Sequence, residues 1–201
     1  YENFLNFHRT YYHPSNSYIY LYGNMDMEEK LAFLDEHYLS HFDYLDVDSV
    51  IQEQKEFGAC RDVTLEYPVA ENEGEEDNTY LSYNMVVGNA ADSQMAMAFE
   101  VLDYALLSAP GAPLKQALLD VKAGKDVYGS YDDGILQPYF TVIAKGSNPD
   151  RKEEFVSVIR QVLGDIVKNG IDKKAVEAGI NYFEFRYREA DFSSYPKGLM
   201  Y

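Results

Sequence analysis

The stretch DVYGSYDDGILQPYF predicts a β-hairpin, and this feature constrains the fold more than any other. Aromatic and branched residues fill 126–131, the turn residues Asp132, Asp133 and Gly134 follow, and a second apolar segment occupies 135–144. A turn sequence that contains Asp-Gly between two such segments is typical of antiparallel strands joined directly. The chain is therefore expected to contain an antiparallel sheet.

Helical patterns surround this hairpin and come in pairs. Apolar spacing and breaker residues predict further strands at 17–23, 61–69 and 79–88, the last two joined around an acidic loop. Adjacent strands with paired helices predict an α+β fold, namely a mainly antiparallel sheet with helices packed on one face. Helices are predicted over 2–12, 26–42, 92–108, 114–121, 148–169 and 172–188.

Capping residues set the predicted helix boundaries. Asp26, Asp92, and either Asn148 or Asp150 stand where a side chain can accept from a free first-turn amide. Gly170 follows the longest helix, where a glycine commonly ends one. The predicted inward face of that helix consists of Phe155, Val158, Ile159, Val162, Ile166 and Val167.

Composition excludes several classes of partner. The chain has 201 residues, 17 basic and 34 acidic, with a net charge of -17. Nucleic acid and anionic membrane surfaces would repel it, whereas basic peptides would be attracted. The single cysteine, Cys60, is expected to be a small apolar residue of a protein from a reducing compartment. No signal peptide is evident, and the missing initiating Met leads us to expect a piece of a longer chain.

The motif HYLSH places His37 and His41 four residues apart, a spacing that can hold zinc on one helix face. The zinc-peptidase motifs HExxH and HxxEH also need a glutamate, which takes the proton from the metal-bound water. Tyr38 and Ser40 occupy those two positions. We therefore interpret both histidines as ordinary surface residues. A self-standing metalloenzyme built on them is the competing hypothesis.

Other chemically suggestive residues have structural interpretations. His13 precedes a proline and is expected to shape a turn. Arg188, Glu189 and Asp191 lie together near a helix end, where they are expected to form salt bridges rather than acid-base machinery.

Several longer stretches resemble one family. FHRTYYHPSNSYIYLYGNMD, SAPGAPLKQALLD, GKDVYGSYDDGILQPYF and NYFEFRYREADFSSYPKGLMY are similar to the presequence-protease branch of the insulinase-like (pitrilysin-type) zinc metallopeptidases. Such proteases have four homologous α+β domains around a closed chamber. Their zinc ligands, HxxEH and a downstream Glu, precede the YHPSN-x-YIYLYG motif. The resemblance implies that the zinc ligands of the parent protein lie outside this chain and that the chain itself binds none.

The resemblance also implies a domain plan. Residues 1–42 would be the last helix–strand–helix of the first, catalytic domain, 43–60 a linker, and 61–201 a second domain cut before its end. An exposed strand of the second domain would anchor peptide substrates by backbone pairing. The matching strand here is DVYGSY, with Tyr128, Gly129 and Ser130 as the candidate residues and Gly111 in the nearby APGAP turn.

The resemblance therefore implies a non-catalytic portion of a zinc metalloendopeptidase that degrades unstructured oligopeptides. Its partners would be peptide substrates and the remaining domains of the parent polypeptide. The isolated chain, which lacks HxxEH, is expected to be inactive. The bacterial cytoplasm is the expected compartment, with an organelle matrix as the alternative. The competing function is that of a non-catalytic binding or structural homologue, as occurs in respiratory and mitochondrial processing complexes.

Overall fold

The computed structural model describes residues 1–70 and 72–189, which divide into two compact units, 1–53 and 54–189. The helices are α1 (Glu2–Tyr11), α2 (Met27–His37), α3 (Ser93–Asp103), α4 (Pro113–Asp120), α5 (Lys152–Asn169) and α6 (Lys173–Glu189). The strands are β1 (Thr79–Val86), β2 (Asp126–Asp132) and β3 (Tyr139–Ser147). Short 3-10 turns occupy Pro14–Asn16, Leu39–His41 and Pro149–Arg151, and a π-helical turn, called the π turn below, occupies Tyr104–Ser108.

The three strands form one antiparallel sheet in the order β1–β3–β2. The predicted hairpin is confirmed as β2 and β3, but its loop is longer than a two-residue turn. Pro138, immediately before β3, has no amide proton to give to a strand pair, which delays the second strand. Gly134 N–H donates to Asp132 Oδ1 at 3.1 Å, so the Asp side chain organises the start of the loop.

The core lies between one face of this sheet and the helices. Val127 is buried between the exposed Asp126 and Tyr128, the alternation expected of a strand with one covered face. This confirms the predicted α+β class. The fully buried side chains that join sheet and helices include Val127, Val142, Leu114, Leu118, Phe155 and Ile159. No helix in the described part of the chain is both long and apolar enough to cross a membrane.

Two predicted strands are wrong. Residues 17–23 and 61–69 form no strand, and their large side chains, such as Tyr18 and Leu65, are exposed. A strand needs a neighbour that supplies backbone partners and covers one face, so high strand propensity alone does not create one. β1 pairs with β3 and not with 61–69 as the hairpin prediction required.

The helix caps are partly as predicted. Asp26 Oδ1 accepts from Glu29 N–H at 3.1 Å, and Asp92 Oδ1 accepts from Met95 N–H at 3.0 Å, which confirms both caps. Gly170, with φ 84°, ends α5 as predicted. Helix α2 is shorter than predicted, because it ends at His37 and a 3-10 turn follows.

The predicted cap of α5 is wrong. Neither Asn148 nor Asp150 caps the helix, because the 3-10 turn precedes it. Arg151 occupies the cap position, and its side chain makes no capping hydrogen bond. Asn148 is engaged elsewhere. Its amide donates to Asp77 Oδ1 at 2.7 Å, and its carbonyl accepts from Asp77 N–H at 2.8 Å. Asn148 therefore bonds with Asp77, which is distant in sequence, instead of capping α5.

The unit of residues 1–53 has no core of its own. It consists of α1, α2 and irregular segments, and none of its residues from 1 to 53 is buried. Its internal contacts include polar and aromatic ones at the surface. Leu45 N–H donates to Ser15 Oγ at 3.1 Å, and the rings of His13 and Phe42 meet edge-on at 5.5 Å.

Candidate functional site

The predicted peptide-anchoring residues Tyr128, Gly129 and Ser130 lie in β2, at one edge of the sheet. β3 pairs with one side of β2. Within the described residues, no strand pairs with the other side. Unpaired backbone groups along a strand edge are a template for an added strand. The structure therefore presents an open strand edge at the residues that the sequence indicated.

A local hydrogen bond shows which backbone groups point to the open edge. Val127 N–H donates to Asp126 Oδ1 at 2.8 Å, which places this amide on the side away from β3. Backbone groups of alternate residues in a strand point to the same side. Gly129 and Tyr131 therefore direct their N–H and C=O groups to the open edge. An incoming strand would pair with these groups, whereas the backbone groups of Tyr128 and Ser130 pair with β3.

The side chains of Tyr128 and Ser130 lie on the solvent face of the sheet. Tyr128 is 39% exposed and stands opposite Ile143 of β3. Ser130 stands opposite Thr141, whose hydroxyl donates to Asn84 of β1. This face offers one aromatic contact and a row of small polar groups beside the edge.

Gly129 has a packing role that the sequence did not reveal. A Cβ atom at this position would overlap both the carbonyl oxygen of Thr141 and Cδ1 of Leu107. The absence of a side chain lets the π turn approach the hairpin closely. Gly129 is therefore needed by the core of the sheet as well as by the open edge.

Gly111, the fourth predicted residue, occupies the turn between the π turn and α4. Its φ is 71°, in the region that favours glycine, and Ala112 N–H donates to the carbonyl of Ala109 at 3.0 Å. Apart from Gly111 and its two chain neighbours, no atom lies within 4 Å of the position that a Cβ would take. The turn is thus tight and open to solvent.

Contacts on both sides bring this turn to β2. Leu107, ahead of the turn, meets Gly129, and Lys115 Nζ, beyond it, lies 3.6 Å from Asp126 Oδ1. The turn and the strand therefore belong to one surface of the unit. The structure in this way places Gly111 in a turn whose flanking residues Leu107 and Lys115 contact β2.

A pocket of about 340 Å³ lies beside the π turn, and the sequence analysis did not find it. The predicted helix over 92–108 ran straight through this region, whereas the helix widens after Asp103. Ala109 N–H donates to Tyr104 C=O at 2.7 Å, a bond that spans five residues. Helical periodicity gives no signal for such a turn, although π turns are frequent at functional sites. The pocket is lined by Asp103, Tyr104, Ser108, Tyr182, Phe183 and Arg186.

Burial raises the pKa of two carboxyl groups on α3. Burial raises the pKa of Glu100, and a hydrogen bond from the Tyr187 hydroxyl, 3.0 Å from Oε2, opposes that shift. Burial likewise raises the pKa of Asp103, against a hydrogen bond from Ser108. Both carboxyl groups face α6 or the pocket and hold a proton more readily than they would in water.

The two histidines of HYLSH do not share a helix face. His37 is the last residue of α2, and His41 ends the 3-10 turn that follows. Both are exposed, and the His37 ring packs on Phe33 at 4.6 Å between centroids. Across residues 1–70 and 72–189, no group of three His, Cys, Asp or Glu side chains could hold a metal ion. These residues do not fit a zinc site.

His13 has the structural role predicted for it. Its Nδ1 accepts from the backbone N–H of Ser15 at 3.2 Å and so caps the 3-10 turn that begins at Pro14. Cys60 differs from expectation, because it is exposed rather than packed as a small apolar residue.

The salt-bridged helix end predicted near READ is present at Arg188. Its guanidinium lies 2.5 Å from Glu184, one turn earlier on α6. Asp191 and the motifs READF and YPKGL extend outside the described residues.

Comparisons with known proteins find a matching family model and several similar proteins. A protein-family model described as the Peptidase M16 inactive domain matches residues 1–183. Protein HypA of Clostridium perfringens is 47% identical over 201 residues, which cover 100% of this chain and 21% of that protein. Presequence protease 1 of Arabidopsis thaliana, chloroplastic/mitochondrial, is 33% identical over 203 residues, covering 99% of this chain and 19% of that protein. The chain thus spans about a fifth of the length of these curated relatives.

A solved structure of an inactive peptidase domain from Bordetella parapertussis is also similar. It aligns with 55% of this chain and 60% of its own length, with 13% identity and a TM-score of 0.48.

Proposed function

Because the chain belongs to the M16 peptidase family, within which it matches the inactive domain, we propose that it is a non-catalytic portion of a zinc metalloendopeptidase. The resemblance to the presequence-protease branch is confirmed by the similar proteins. The parent protein would degrade unstructured oligopeptides in a closed chamber. This portion would form part of the wall and hold the peptide at the open edge of β2.

The observation that carries the anchoring role is the direction of the β2 backbone. The open edge offers the N–H and C=O groups of Gly129 and Tyr131, and the Gly111 turn lies beside the same strand. Backbone pairing reads no side chain, which suits a protein that takes peptides of many sequences. The net charge of -17 adds attraction for basic peptides.

The partners of the 1–53 unit would be other domains of the same polypeptide. Its apolar side chains have no core of their own, and Phe4 and Phe7 on α1 are more than half exposed. An apolar surface of this kind needs cover from another surface. The curated relatives, about five times longer, have the chain to supply it. Residues 1–42 would then complete the catalytic domain, with 43–60 as linker and 61–201 as the second domain.

The same relatives support the proposed compartments. A bacterial relative fits the cytoplasm, and presequence proteases of organelles fit a matrix. We favour the bacterial cytoplasm.

Backbone pairing at β2 is testable with three versions of one basic, unstructured, fluorescent peptide. The unmodified peptide should bind, and a version N-methylated at every second residue should still bind through its bare edge. A version N-methylated at every residue should lose about tenfold or more in affinity, because it cannot donate to the strand. Fluorescence anisotropy measures the three affinities. Equal affinity of all three would show that side chains alone hold the peptide.

Matched tyrosines distinguish the two edges of the sheet. Tyr128 of β2 and Tyr80 of β1 are 39% and 47% exposed on edge strands of the same sheet. Tyr128→Ala should weaken peptide binding by about threefold to fivefold, the range of a cross-strand contact, and Tyr80→Ala should leave it unchanged. The reverse result would show that the peptide binds at β1 instead of β2.

The isolated chain should contain no stoichiometric zinc and should not cleave the fluorescent peptide, because it has no HxxEH. Metal analysis of the purified chain and a cleavage assay with added zinc measure both. One tightly held zinc per chain, lost in a variant with both His37→Ala and His41→Ala, would instead support the self-standing metalloenzyme.

A further inference from the structure

The open edge of β2 is blocked at the start of the strand. The Asp126 carboxylate accepts from Val127 N–H at 2.8 Å, and Lys115 Nζ lies 3.6 Å from the same carboxylate oxygen. The Val127 amide points to the open side but is already used, so an added strand cannot pair with it. The free backbone groups of the edge begin at the Val127 carbonyl and continue through Gly129 and Tyr131.

The side chains on the solvent face of β2 form an ordered row beside this edge. From the start of the strand to its end they are Asp126, Tyr128, Ser130 and Asp132, and all four are exposed. A peptide residue directly opposite one of them would carry its side chain on the same face, close enough for contact. Beyond the blocked start, the row offers an aromatic ring, a small hydroxyl and a carboxylate in fixed order.

The carboxylates at the two ends of this row differ in their charge compensation. Asp126 has Lys115 beside it, whereas Asp132 has neutral donors. Gly134 N–H donates to Asp132 Oδ1 at 3.1 Å, and the Tyr139 hydroxyl donates to Oδ2 at 2.9 Å. No lysine or arginine among the described residues forms an ion pair with Asp132. Since a carboxylate has about four acceptor sites, both oxygens can still accept from a cation.

Tyr139 holds the Asp132 carboxylate in place without cancelling its charge. The hydrogen bond to Asp132, together with the negative charge of that carboxylate, raises the pKa of the Tyr139 hydroxyl. The hydroxyl therefore stays protonated at neutral pH and acts as a donor. A basic side chain is thus favoured at the end of β2, and an apolar one is favoured at Tyr128.

We propose, on the basis of the peptide anchoring proposed above, that β2 selects peptides with a basic residue four positions before an apolar residue. Both strand pairs of the described sheet are antiparallel, and a peptide added in the same sense would run from Asp132 towards Tyr128. Its basic residue would lie opposite Asp132, and its apolar residue would lie opposite Tyr128. The residues next to these two would pair through their backbone with Tyr131 and Gly129. Asp132 and Tyr128 are therefore specificity-determining residues.

Two peptides of identical composition test the order of the two residues. One is acetyl-Gly-Lys-Ser-Thr-Ser-Leu-Gly amide, and in the other the lysine and the leucine are exchanged. Their charges are equal, so the net charge of -17 attracts both alike. NMR titration of the isotope-labelled chain measures both affinities. The Lys-first peptide should bind about threefold to tenfold more tightly, the range of two cross-strand contacts.

A spin label at the amino end of the Lys-first peptide tests its direction on the strand. In the antiparallel arrangement the label should broaden the amide signal of Gly134 more than that of Lys125, because these residues flank opposite ends of β2. Stronger broadening at Lys125 would overturn the proposed placement.

Substitution of Asp132 assigns the preference to its carboxylate. Asp132→Asn keeps an oxygen that can accept from Gly134 N–H, and it should weaken the Lys-first peptide about threefold. A peptide with glutamine in place of lysine should bind this variant and the parent chain equally, which completes a double-mutant cycle. Asp126→Asn removes the same charge from the other end of β2 and should leave the order preference unchanged.

The outcomes separate this selectivity from the anchoring itself. Equal affinity of the two peptides would overturn the order preference and leave anchoring at β2 intact. Absence of binding by both, while the basic fluorescent peptide described above binds, would likewise overturn the preference alone. Absence of binding by all three would overturn the anchoring as well.

Discussion

Replacing Phe155 with alanine should lower the free energy of unfolding by about 4 kcal/mol, because the change removes a whole ring from a packed core. Phe155 is 1% exposed, in the first turns of α5, and belongs to the cluster that joins helices to the sheet. The cavity would lie where α5 meets this cluster, next to side chains that cannot collapse into it completely. Urea denaturation followed by far-UV circular dichroism measures the loss.

Val167→Ala is the matched control on the same helix. Val167 is 86% exposed, so its truncation should change stability by no more than about 0.5 kcal/mol. The sequence had placed Val167 on the inward face with Phe155, and the structure shows that this is wrong. Similar losses for both variants would mean that α5 packs through a different face from the one described.

Gly129→Ala should destabilise the unit of residues 54–189 by about 3 kcal/mol, since overpacking at a rigid position displaces the backbone. The added methyl group would overlap the Thr141 carbonyl oxygen, which belongs to β3 and cannot rotate away. It would also overlap Leu107, which ties the π turn to β2. Thermal and urea denaturation should both show the loss.

Gly164→Ala provides the control for the glycine substitution itself. Gly164 lies inside α5, and nothing stands within 4 Å of a Cβ built there. Alanine should stabilise this helix by about 0.5 kcal/mol, because it restricts the unfolded chain and favours the helix. If Gly129→Ala were equally harmless, the close approach of β2, β3 and the π turn would be wrong.

Much of the local structure was predictable because neighbouring residues cause it. Asp26 and Asp92 cap their helices, since each side chain reaches an amide only a few residues away. Gly170 ends α5 because its φ of 84° suits glycine. The hairpin of β2 and β3 was visible for the same reason, as its turn chemistry is local.

The failures share a different physical cause, namely partners distant in sequence. Segments 17–23 and 61–69 have strand composition, but no described strand pairs with them. Asn148 was expected to cap α5, yet Asp77, 71 residues away, takes its side chain. The choice between a local and a distant partner depends on packing, which periodicity does not contain.

Part of the candidate site was likewise predictable from the sequence, and part depended on the tertiary structure. The sequence pointed to Tyr128, Gly129 and Ser130 through family resemblance and marked Gly111 as a turn residue. Which backbone groups of β2 face outward became visible only through the bond between Val127 and Asp126. Peptide anchoring at this edge is the prediction that the binding measurements test.

The sequence by itself determined the α+β class, most helix spans and the central hairpin, because caps, turns and apolar spacing act over a few residues. Tertiary structure decided the sheet order, the open edge of β2 and the pocket beside the π turn. Each of these requires residues far apart in the chain to meet, as Leu107 meets Gly129 and Tyr104 meets Tyr182. Such meetings are set by how the helices close over the sheet, and close packing makes them specific.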